Sequence, residues 1–236
     1  MAPSSRYAER ESEEENGKEG SKKTGAGQKI MQIPNNMTKH VQKIFDGEYD
    51  ISYQHSNPII LDIGGNVGGF CLWANKRWAN SQIYSYEPIK NNFNLLKKNT
   101  ENIKNITPIN VAIGSKTETR RMYYGAHNIG ECSFINGAEQ VEQGEEVSVM
   151  SANLLPSADI VKIDTEGAEI EILENIKFKP SVYLIEYHSA YNRRRIDNIL
   201  YDYTLVAADI THPAYGILKY ALSSTIKYNN APLAQW

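Results

Sequence analysis

Residues 58–70 read P-I-I-L-D-I-G-G-N-V-G-G-F, and this stretch predicts the fold of the chain. The apolar run from Ile59 to Leu61 contains β-branched residues and is typical of a strand buried on both faces. Four glycines follow within six residues, and apolar residues then recur at helical spacing from Phe70 onwards. The order strand, tight turn, helix brings backbone N–H groups close to a ligand, because glycine has no Cβ.

The spacing of the glycines narrows the choice of ligand. A dinucleotide fingerprint is G-x-G-x-x-G, but Asn66 stands where the second glycine would follow Gly64, which argues against a pyrophosphate. Asp62, at the end of the strand, suits a ligand with a positively charged amino acid moiety. The simpler alternative is a glycine-rich turn in an ordinary α/β protein, so residues further along the chain must decide.

Composition limits the class of protein. A chain of 236 residues has room for one α/β domain, and a net charge of −3 favours neither nucleic acid nor anionic membrane as a partner. Two unpaired cysteines, Cys71 and Cys132, suit a reducing compartment, and no apolar run approaches the length of a membrane span. We therefore predict a cytoplasmic protein with no nucleic-acid or membrane partner, of open oligomeric state.

The chain divides into a polar tail and one domain. Residues 1–30 are rich in Glu, Lys, Ser and Gly, and such a segment is predicted to be disordered because it has little apolar surface to bury. The domain spans residues 31–236 and is predicted to begin with a short helix over residues 37–45. We expect this helix to cover one edge of the domain.

A second strand and an acidic residue follow the glycine turn. Ser81 to Tyr86 alternates as a strand, and Glu87 comes about twenty residues after the glycines, where a nucleotide-binding βαβ unit carries its ribose-binding carboxylate. An exposed acid at a strand end is the alternative. After a helix, residues 106–113 are predicted to form a third strand that contains Asn110 and Ala112. Residues 117–150 then interrupt the alternation with two predicted strands, and we expect this insertion to cover the substrate.

The stretch from Ala158 to Leu173 is the second informative one. It reads A-D-I-V-K-I-D-T-E-G-A-E-I-E-I-L and predicts a buried strand that ends at Asp164, where a doubly wound sheet places its site. Helix-dipole stabilisation explains Glu169 and Glu171.

A fifth strand is predicted over residues 181–188. Glu186 and His188, two residues apart, point to the same side of it. A helix beginning at the arginines 193–195 follows, and these form either a solvated face or a clamp for a substrate anion. Strands over residues 203–210 and 220–227 complete the predicted sheet.

Three stretches together resemble the FkbM-type methyltransferases, of the class I fold that uses S-adenosylmethionine. They are L-D-I-G-G-N-V-G-G-F, Y-E-P-I-K-N-N-F-N-L-L-K-K-N, and I-V-K-I-D-T-E-G-A-E-I-E-I-L followed by I-E-Y-H. The resemblance implies a Rossmann-like α/β fold with a mostly parallel seven-stranded sheet, one antiparallel strand and helices on both faces. This chain departs from the family pattern just before the fourth strand. The family commonly has T-L-D there, whereas this chain has Ser151, Ala152 and Asn153.

The resemblance also implies a set of cofactor-binding residues. The glycine turn would hold the methionine moiety, Glu87 the ribose, and the end of the third strand the adenine. The predicted residues are Asp62, Gly64, Gly65, Asn66, Gly68, Glu87, Asn110, Ala112 and Asp164.

The leading hypothesis is an O-methyltransferase acting on a hydroxyl of a sugar or natural product. Methylation of a nitrogen in this fold commonly goes with N-P-P-Y or D-P-P-Y after the fourth strand, whereas this chain has D-T-E-G from Asp164. Asp164, Glu186 and His188 are the predicted catalytic residues, with His188 as the general base. No metal ligand is assigned, because carboxylates near a site more often accept hydrogen bonds, but a divalent metal held by these three residues and Glu166 stays open as an alternative. An NAD-dependent oxidoreductase and a non-catalytic cofactor-binding protein remain as alternatives.

Overall fold

The computed structural model describes residues 31–125, 128–133 and 143–225, so the predicted tail lies outside the described residues. Within these ranges, no helix is long and apolar enough to cross a membrane. The strands are β1 (Ile59–Ile63), β2 (Gln82–Tyr86), β3 (Ile106–Ile109), β4 (Ala112–Gly114), β5 (Glu118–Gly125), β6 (Asn128–Ser133), β7 (Gln143–Ser151), β8 (Ile160–Ile163), β9 (Val182–Tyr187), β10 (Tyr203–His212) and β11 (Tyr215–Leu222). The α-helices are α1 (Thr38–Phe45), α2 (Gly69–Arg77), α3 (Lys90–Thr100), α4 (Glu169–Asn175) and α5 (Ala190–Ile199).

Seven strands form the main sheet in the order β10-β11-β9-β8-β1-β2-β3. The strands from β9 to β3 are parallel, whereas β11 is antiparallel to both of its neighbours. Ile63 at the end of β1 is level with Tyr86 of β2 and with Ile163 of β8. The residues that follow these three strands therefore meet at one edge of the sheet. This topology confirms the predicted class I methyltransferase fold.

Alternate residues of the central strands pack into two separate cores. On one face, Ile60 belongs to a cluster that includes Ile44 of α1 and Phe70 of α2. On the other face, Leu61 belongs to a cluster that includes Ile172 of α4 and Ile196 of α5. Because neighbouring side chains of a strand point to opposite faces, the continuous apolar run of β1 serves both cores.

The predicted third strand is wrong in one respect, because it breaks into two. Residues 106–109 form β3 at the edge of the main sheet, and residues 112–114 form β4, which joins a second sheet of order β4-β7-β5-β6. The break is held by Asn110, whose amide donates hydrogen bonds to the carbonyl oxygens of Glu87 and Pro88 at 2.9 and 2.8 Å. The two strands predicted in the insertion are confirmed as β5 and β7.

Two boundaries near the C-terminus also differ from the prediction. The fifth helix begins at Ala190 rather than at the arginines, because the Ser189 hydroxyl caps it by accepting a hydrogen bond from the Asn192 N–H at 2.9 Å. The final strand is β11, which starts five residues earlier than predicted. Arg193 and Arg195 pair with neighbouring carboxylates on the surface, so these two form a solvated face and not an anion clamp.

The N-terminal helix is confirmed, and it lies against the glycine turn. A Cβ atom added to Gly69, the first residue of α2, would come within 3.0 Å of Ile44 Cδ1 and 3.5 Å of Val41 Cγ2. Because α1 packs this closely on the start of α2, it covers the turn as well as the edge of the domain.

Candidate active site

The glycine turn is shaped mainly by its close approach to neighbouring strands. Gly64 has a φ of +84°, and a Cβ at this position would lie 1.8 Å from the backbone carbonyl oxygen of Asp164. A Cβ at Gly65 would lie 2.2 Å from Ser85 Oγ. Gly68 has a φ of +96° and caps the start of α2. The glycines therefore allow the ends of β1, β2 and β8 to come together, in addition to any approach of a ligand.

The hydrogen bonds of this turn disfavour a dinucleotide. The N–H groups of Gly64 and Gly65 donate to the carbonyl oxygen of Tyr86 at 3.0 and 2.9 Å. The N–H of Asn66 donates to Glu87 Oε2 at 2.8 Å. Three backbone donors that a pyrophosphate site would use are therefore already bonded within the protein.

Asp62 is fully buried beneath the turn and lines neither of the two cavities at the site. Its Oδ2 accepts a hydrogen bond from Ser85 Oγ at 2.7 Å, and Lys162 Nζ lies 3.5 Å from its Oδ1. Burial raises the pKa of this carboxyl. The predicted direct contact with the cofactor stays a prediction, whereas in this structure the side chain joins β1 to Ser85 of β2 and to Lys162 of β8.

Lys162 is a buried cation that the sequence analysis did not single out. Its Nζ donates a hydrogen bond to the carbonyl oxygen of Gly64 at 2.7 Å and lies 3.2 Å from Asp164 Oδ2. Although burial lowers the pKa of Lys162, the charges of Asp164 and Asp62 outweigh this effect and raise the pKa above its ordinary value. Lys162 thus ties the glycine turn to the acidic ends of β1 and β8. The sequence pattern that could have indicated this buried cation is a lysine inside an otherwise apolar strand.

A first cavity opens at the carboxyl ends of β1, β2 and β8, with about 550 Å³ of empty space that includes its opening to solvent. Five predicted cofactor residues line it, whereas Gly65 lines the second cavity, and Asp62, Gly68 and Asn110 line neither. Met122, from β5, also lines the first cavity, so part of the insertion lies at this cavity, while its predicted cover of the substrate stays a prediction. The five residues are Gly64, Asn66, Glu87, Ala112 and Asp164.

Glu87 is fixed at the end of β2 with both of its oxygens oriented. Oε2 accepts from the Asn66 N–H and Oε1 accepts from the Ile89 N–H, each at 2.8 Å. Burial raises the pKa of this carboxyl to about 7, against the lowering effect of those two hydrogen bonds. A carboxylate has about four acceptor positions, so this one keeps capacity to accept ribose hydroxyls.

A second cavity, of about 320 Å³, lies between α1 and the glycine turn. Met37, His40 and Ile44 line one side of it, and Lys162 lines the other. Both cavities share Gly64, Asn66 and Asp164, so they adjoin at the end of β8.

The three predicted catalytic residues lie together beside this junction. His188 Nε2 lies 3.9 Å from Asp164 Oδ1 and 4.0 Å from Glu186 Oε1. One donor atom from each residue falls within 4.8 Å of the other two. The parallel register of β8 and β9 accounts for this convergence, since Ile163 is level with Ile185.

Glu169 holds the imidazole of His188, a role that the sequence analysis missed. Its Oε1 lies 2.9 Å from His188 Nδ1, and the carboxylate is fully buried. The same carboxylate accepts hydrogen bonds from the Gly167 N–H and from Asn192 Nδ2, each at 2.8 Å. Nδ1 is therefore occupied, and Nε2 faces Asp164, Glu186 and also Glu166, whose Oε2 lies 3.2 Å away.

The charges of this cluster decide its protonation. Burial lowers the pKa of His188, but the hydrogen bond to Glu169 and the charges of Glu166 and Asp164 outweigh burial and raise the pKa to about 10. Burial and the charge of Asp164 raise the pKa of Glu186 to about 8. With no ligand bound, His188 therefore carries a proton at neutral pH and must lose it before it can serve as a base. Its predicted catalytic role stays a prediction.

Asp164 has the opposite shift. Burial raises the pKa of its carboxyl, but the positive charges of Lys162 and His188 outweigh burial and hold the pKa below its ordinary value. Asp164 is thus ionised at neutral pH. Asn153, in the segment that departs from the family pattern, is exposed and lines neither cavity.

Comparisons with known proteins agree with the fold. A solved structure described as methyltransferase FkbM from Methylobacillus flagellatus has a TM-score of 0.51 at 16% identity, covering 79% of this chain and 52% of that chain, and it shows the fold alone. Methyltransferase 1 of Beauveria bassiana is 23% identical, over 58% of this chain and 66% of that protein. The hexuronic acid methyltransferase AglP of Haloferax volcanii is 22% identical, over 61% of this chain and 62% of that protein.

The matches therefore span less than two thirds of the length of these curated relatives. The methyltransferase FkbM domain itself matches residues 62–205, which is more than half of the chain. This match supports S-adenosylmethionine as the cofactor, as predicted. It also includes the end of β1, the glycine turn and the cluster of Asp164, Glu186 and His188, and the chain therefore belongs to the methyltransferase FkbM domain family.

Proposed function

We propose that this chain transfers a methyl group from S-adenosylmethionine to a hydroxyl oxygen of a small molecule, of the sugar or natural-product class. The observation that carries the proposal is the junction at Asp164, where the cavity lined by the Glu87 carboxylate adjoins the cluster of Asp164, Glu186 and His188. When bound, the cofactor supplies a methyl group on a positively charged sulfur. The protein has to align an acceptor oxygen with that methyl group and remove the hydroxyl proton.

In this proposal the adenosyl part of the cofactor occupies the first cavity. Glu87 accepts hydrogen bonds from the ribose, and apolar walls at Val111, Ala112 and Met122 flank the adenine. The methionine part extends past Gly64 towards the second cavity. These residues fit the group because an oriented carboxylate and an apolar slot adjoin in one cavity.

The acidic cluster supports a hydroxyl as the acceptor. Asp164, Glu186 and His188 can accept the hydroxyl proton or orient the hydroxyl, whereas the motif associated with nitrogen methylation is replaced here by D-T-E-G. The similarity to a hexuronic acid methyltransferase makes a hexuronic acid the first acceptor to test. A small-molecule acceptor with no nucleic-acid partner, and a cytoplasmic location, stay predictions from the sequence.

Two measurements test this function. Calorimetric titration should show binding of S-adenosylmethionine and none of NAD. Labelled methyl from the cofactor should then enter a panel of hydroxylated sugars and hexuronic acids, with a methyl ether as the product. Label found on nitrogen, or tight binding of NAD in place of S-adenosylmethionine, would contradict the proposal.

His188→Ala separates catalysis from cofactor binding. The substitution should lower the transfer rate at least about a hundredfold, the size of a typical acid–base contribution. The affinity for S-adenosylmethionine should change by no more than a few-fold, because His188 does not line the first cavity. Single-turnover rates and calorimetry measure the two quantities. Near-normal turnover would remove His188 from the catalytic set.

A further inference from the structure

We propose that Asp164, Glu186 and His188 bind a divalent transition-metal cation, and that this cation holds the hydroxyl of the methyl acceptor. The sequence analysis assigned no metal ligand and left a divalent metal at these residues as the less favoured alternative. The inference deepens the proposed function and rests on it for the identity of the acceptor, because the cluster lies beside the cavity assigned to the cofactor. Binding of the cation itself is inferred from the distances between the three side chains, and it can be tested without knowing the acceptor.

The distances within the cluster fit ligands of one ion. Nitrogen and oxygen ligands lie about 2.1 Å from a transition-metal ion, so two of them are separated by at most about 4.2 Å. His188 Nε2 lies 3.9 Å from Asp164 Oδ1 and 4.0 Å from Glu186 Oε1. All three donor atoms fall within 4.8 Å of one another, and small rotations of the carboxylates bring the longest separation into range.

The orientation of the imidazole distinguishes this cluster from a group of exposed acids. Glu169 takes the Nδ1 side of His188 at 2.9 Å, so Nε2 is the nitrogen aimed at Asp164 and Glu186. Glu169 is itself held by Gly167 and Asn192 and has no exposure to solvent. A carboxylate that fixes the second nitrogen of a histidine is the usual support of a metal-bound imidazole.

The charge and burial of the cluster favour a cation. The side chains of Asp164, Glu186 and Glu166 are 16%, 20% and 28% exposed, and all three carboxylates face His188 Nε2 within 4.0 Å. Lys162 pairs with Oδ2 of Asp164, while Oδ1 of that carboxylate faces the imidazole. Several partly buried carboxylates that converge on one point need a compensating positive charge. Either a bound cation or a protonated His188 can supply it.

The donor set indicates which cation to expect. Calcium and magnesium prefer sites made only of oxygen ligands, whereas one imidazole and two carboxylates suit Mn²⁺, Fe²⁺ or Zn²⁺. Three protein ligands leave coordination positions open for the acceptor. In this arrangement His188 holds the cation and is not the base: the cation would lower the pKa of the acceptor hydroxyl, whose proton passes to water. The oxygen then forms the new bond to the methyl carbon as the carbon–sulfur bond breaks, and that electron pair stays on sulfur.

Metal binding is tested on the full chain after treatment with a chelator. Calorimetry and the electron paramagnetic resonance signal of free Mn²⁺ should show one Mn²⁺ bound per chain. His188→Ala and Glu186→Gln should each weaken the affinity at least about tenfold, and Glu169→Gln should weaken it about 10–100-fold through the orientation of His188. Glu174→Gln is the matched control, since Glu174 lies on the same helix as Glu169 but pairs with Arg195 at the surface, and its affinity should stay unchanged.

Titration of the same protein with S-adenosylmethionine keeps the two proposals apart. Absence of Mn²⁺ and Zn²⁺ binding, with cofactor binding and methyl transfer intact, would overturn the metal site and assign the compensating charge to protonated His188. Binding of Mn²⁺ without methyl transfer would support the metal site and count against the proposed function. Circular dichroism checks that each variant is folded. If His188→Ala does not fold, the Mn²⁺ affinity of Glu186→Gln tests the metal site in its place.

Discussion

Among single residues, Lys162 has the largest expected effect on stability. Its ammonium group lies near the buried carboxylates of Asp62 and Asp164 and bonds to the carbonyl oxygen of Gly64. Removal of one partner of a buried ion pair leaves the other charge uncompensated, which costs much more than the loss of an exposed pair.

Lys162→Met should therefore lower the free energy of unfolding by about 3–5 kcal/mol, as urea denaturation measures it. Lys179→Met is the control, because Lys179 pairs with Asp202 at the surface and its loss should leave the free energy of unfolding nearly unchanged. Equal effects of the two substitutions would show that Lys162 does not compensate the buried carboxylates.

Glu87 should make adenosine binding depend on pH. With a pKa of about 7, its carboxyl is about nine-tenths protonated at pH 6 and about nine-tenths ionised at pH 8. In the proposed role of Glu87 it is the ionised form that accepts the ribose hydroxyls, so the affinity should be about tenfold weaker at pH 6 than at pH 8. Adenosine is the probe because it lacks the amino and carboxyl groups of the cofactor. Glu87→Gln should abolish this pH dependence, and an unchanged slope in the variant would assign it to another group.

The raised pKa of Glu87 also affects folding. Its ordinary value is 4.5, so between pH 4.5 and about 7 the folded chain holds a proton that the unfolded chain has lost. The contribution of this group to stability is therefore complete below pH 4.5, and it is lost as the pH rises to about 7.

Sequence patterns located the residues that follow buried strands but missed their partners. Glu87 and Asp164 each end an apolar run, and parallel strands bring such ends together, so both could be predicted. Glu169 was assigned to the helix dipole, because nothing near it in the sequence indicates that His188 lies 2.9 Å away. Contacts between residues far apart in sequence depend on the register of β8 and β9, which no local pattern specifies.

Among the secondary-structure elements, the buried strands could be predicted, but the break between β3 and β4 could not. β1 and β8 are mostly apolar and packed on both faces, with one charged residue each, Asp62 and Lys162, so composition identifies them. The run from residue 106 to residue 113 is equally apolar, but it breaks at Asn110, where side-chain hydrogen bonds to the end of β2 redirect the chain. That break depends on a tertiary contact, and it brings Ala112 to the cavity.

The helix α1 should contribute strongly to stability despite its length of eight residues. Ile44 is 5% exposed and packs in the core formed with α2, whereas the next residue, Phe45, is 40% exposed. Ile44→Ala should lower the free energy of unfolding by about 2–5 kcal/mol because it leaves a cavity, as denaturant unfolding would show. Phe45→Ala should change it by no more than about 0.5 kcal/mol. A similar loss in both variants would mean that α1 does not dock through Ile44.

For the whole molecule, the limits of the folded domain can be tested by truncation. Residues 1–30 lie outside the described residues, so the expectation for them comes from composition, which gives this segment little apolar surface to bury. Deletion of residues 1–28 should leave both the melting temperature and the affinity for S-adenosylmethionine unchanged. Deletion of residues 1–45 is the matched comparison: it also removes Val41 and Ile44, which are buried against α2, so it should lower the melting temperature clearly. A loss of stability already present in the shorter deletion would show that the charged segment packs on the domain.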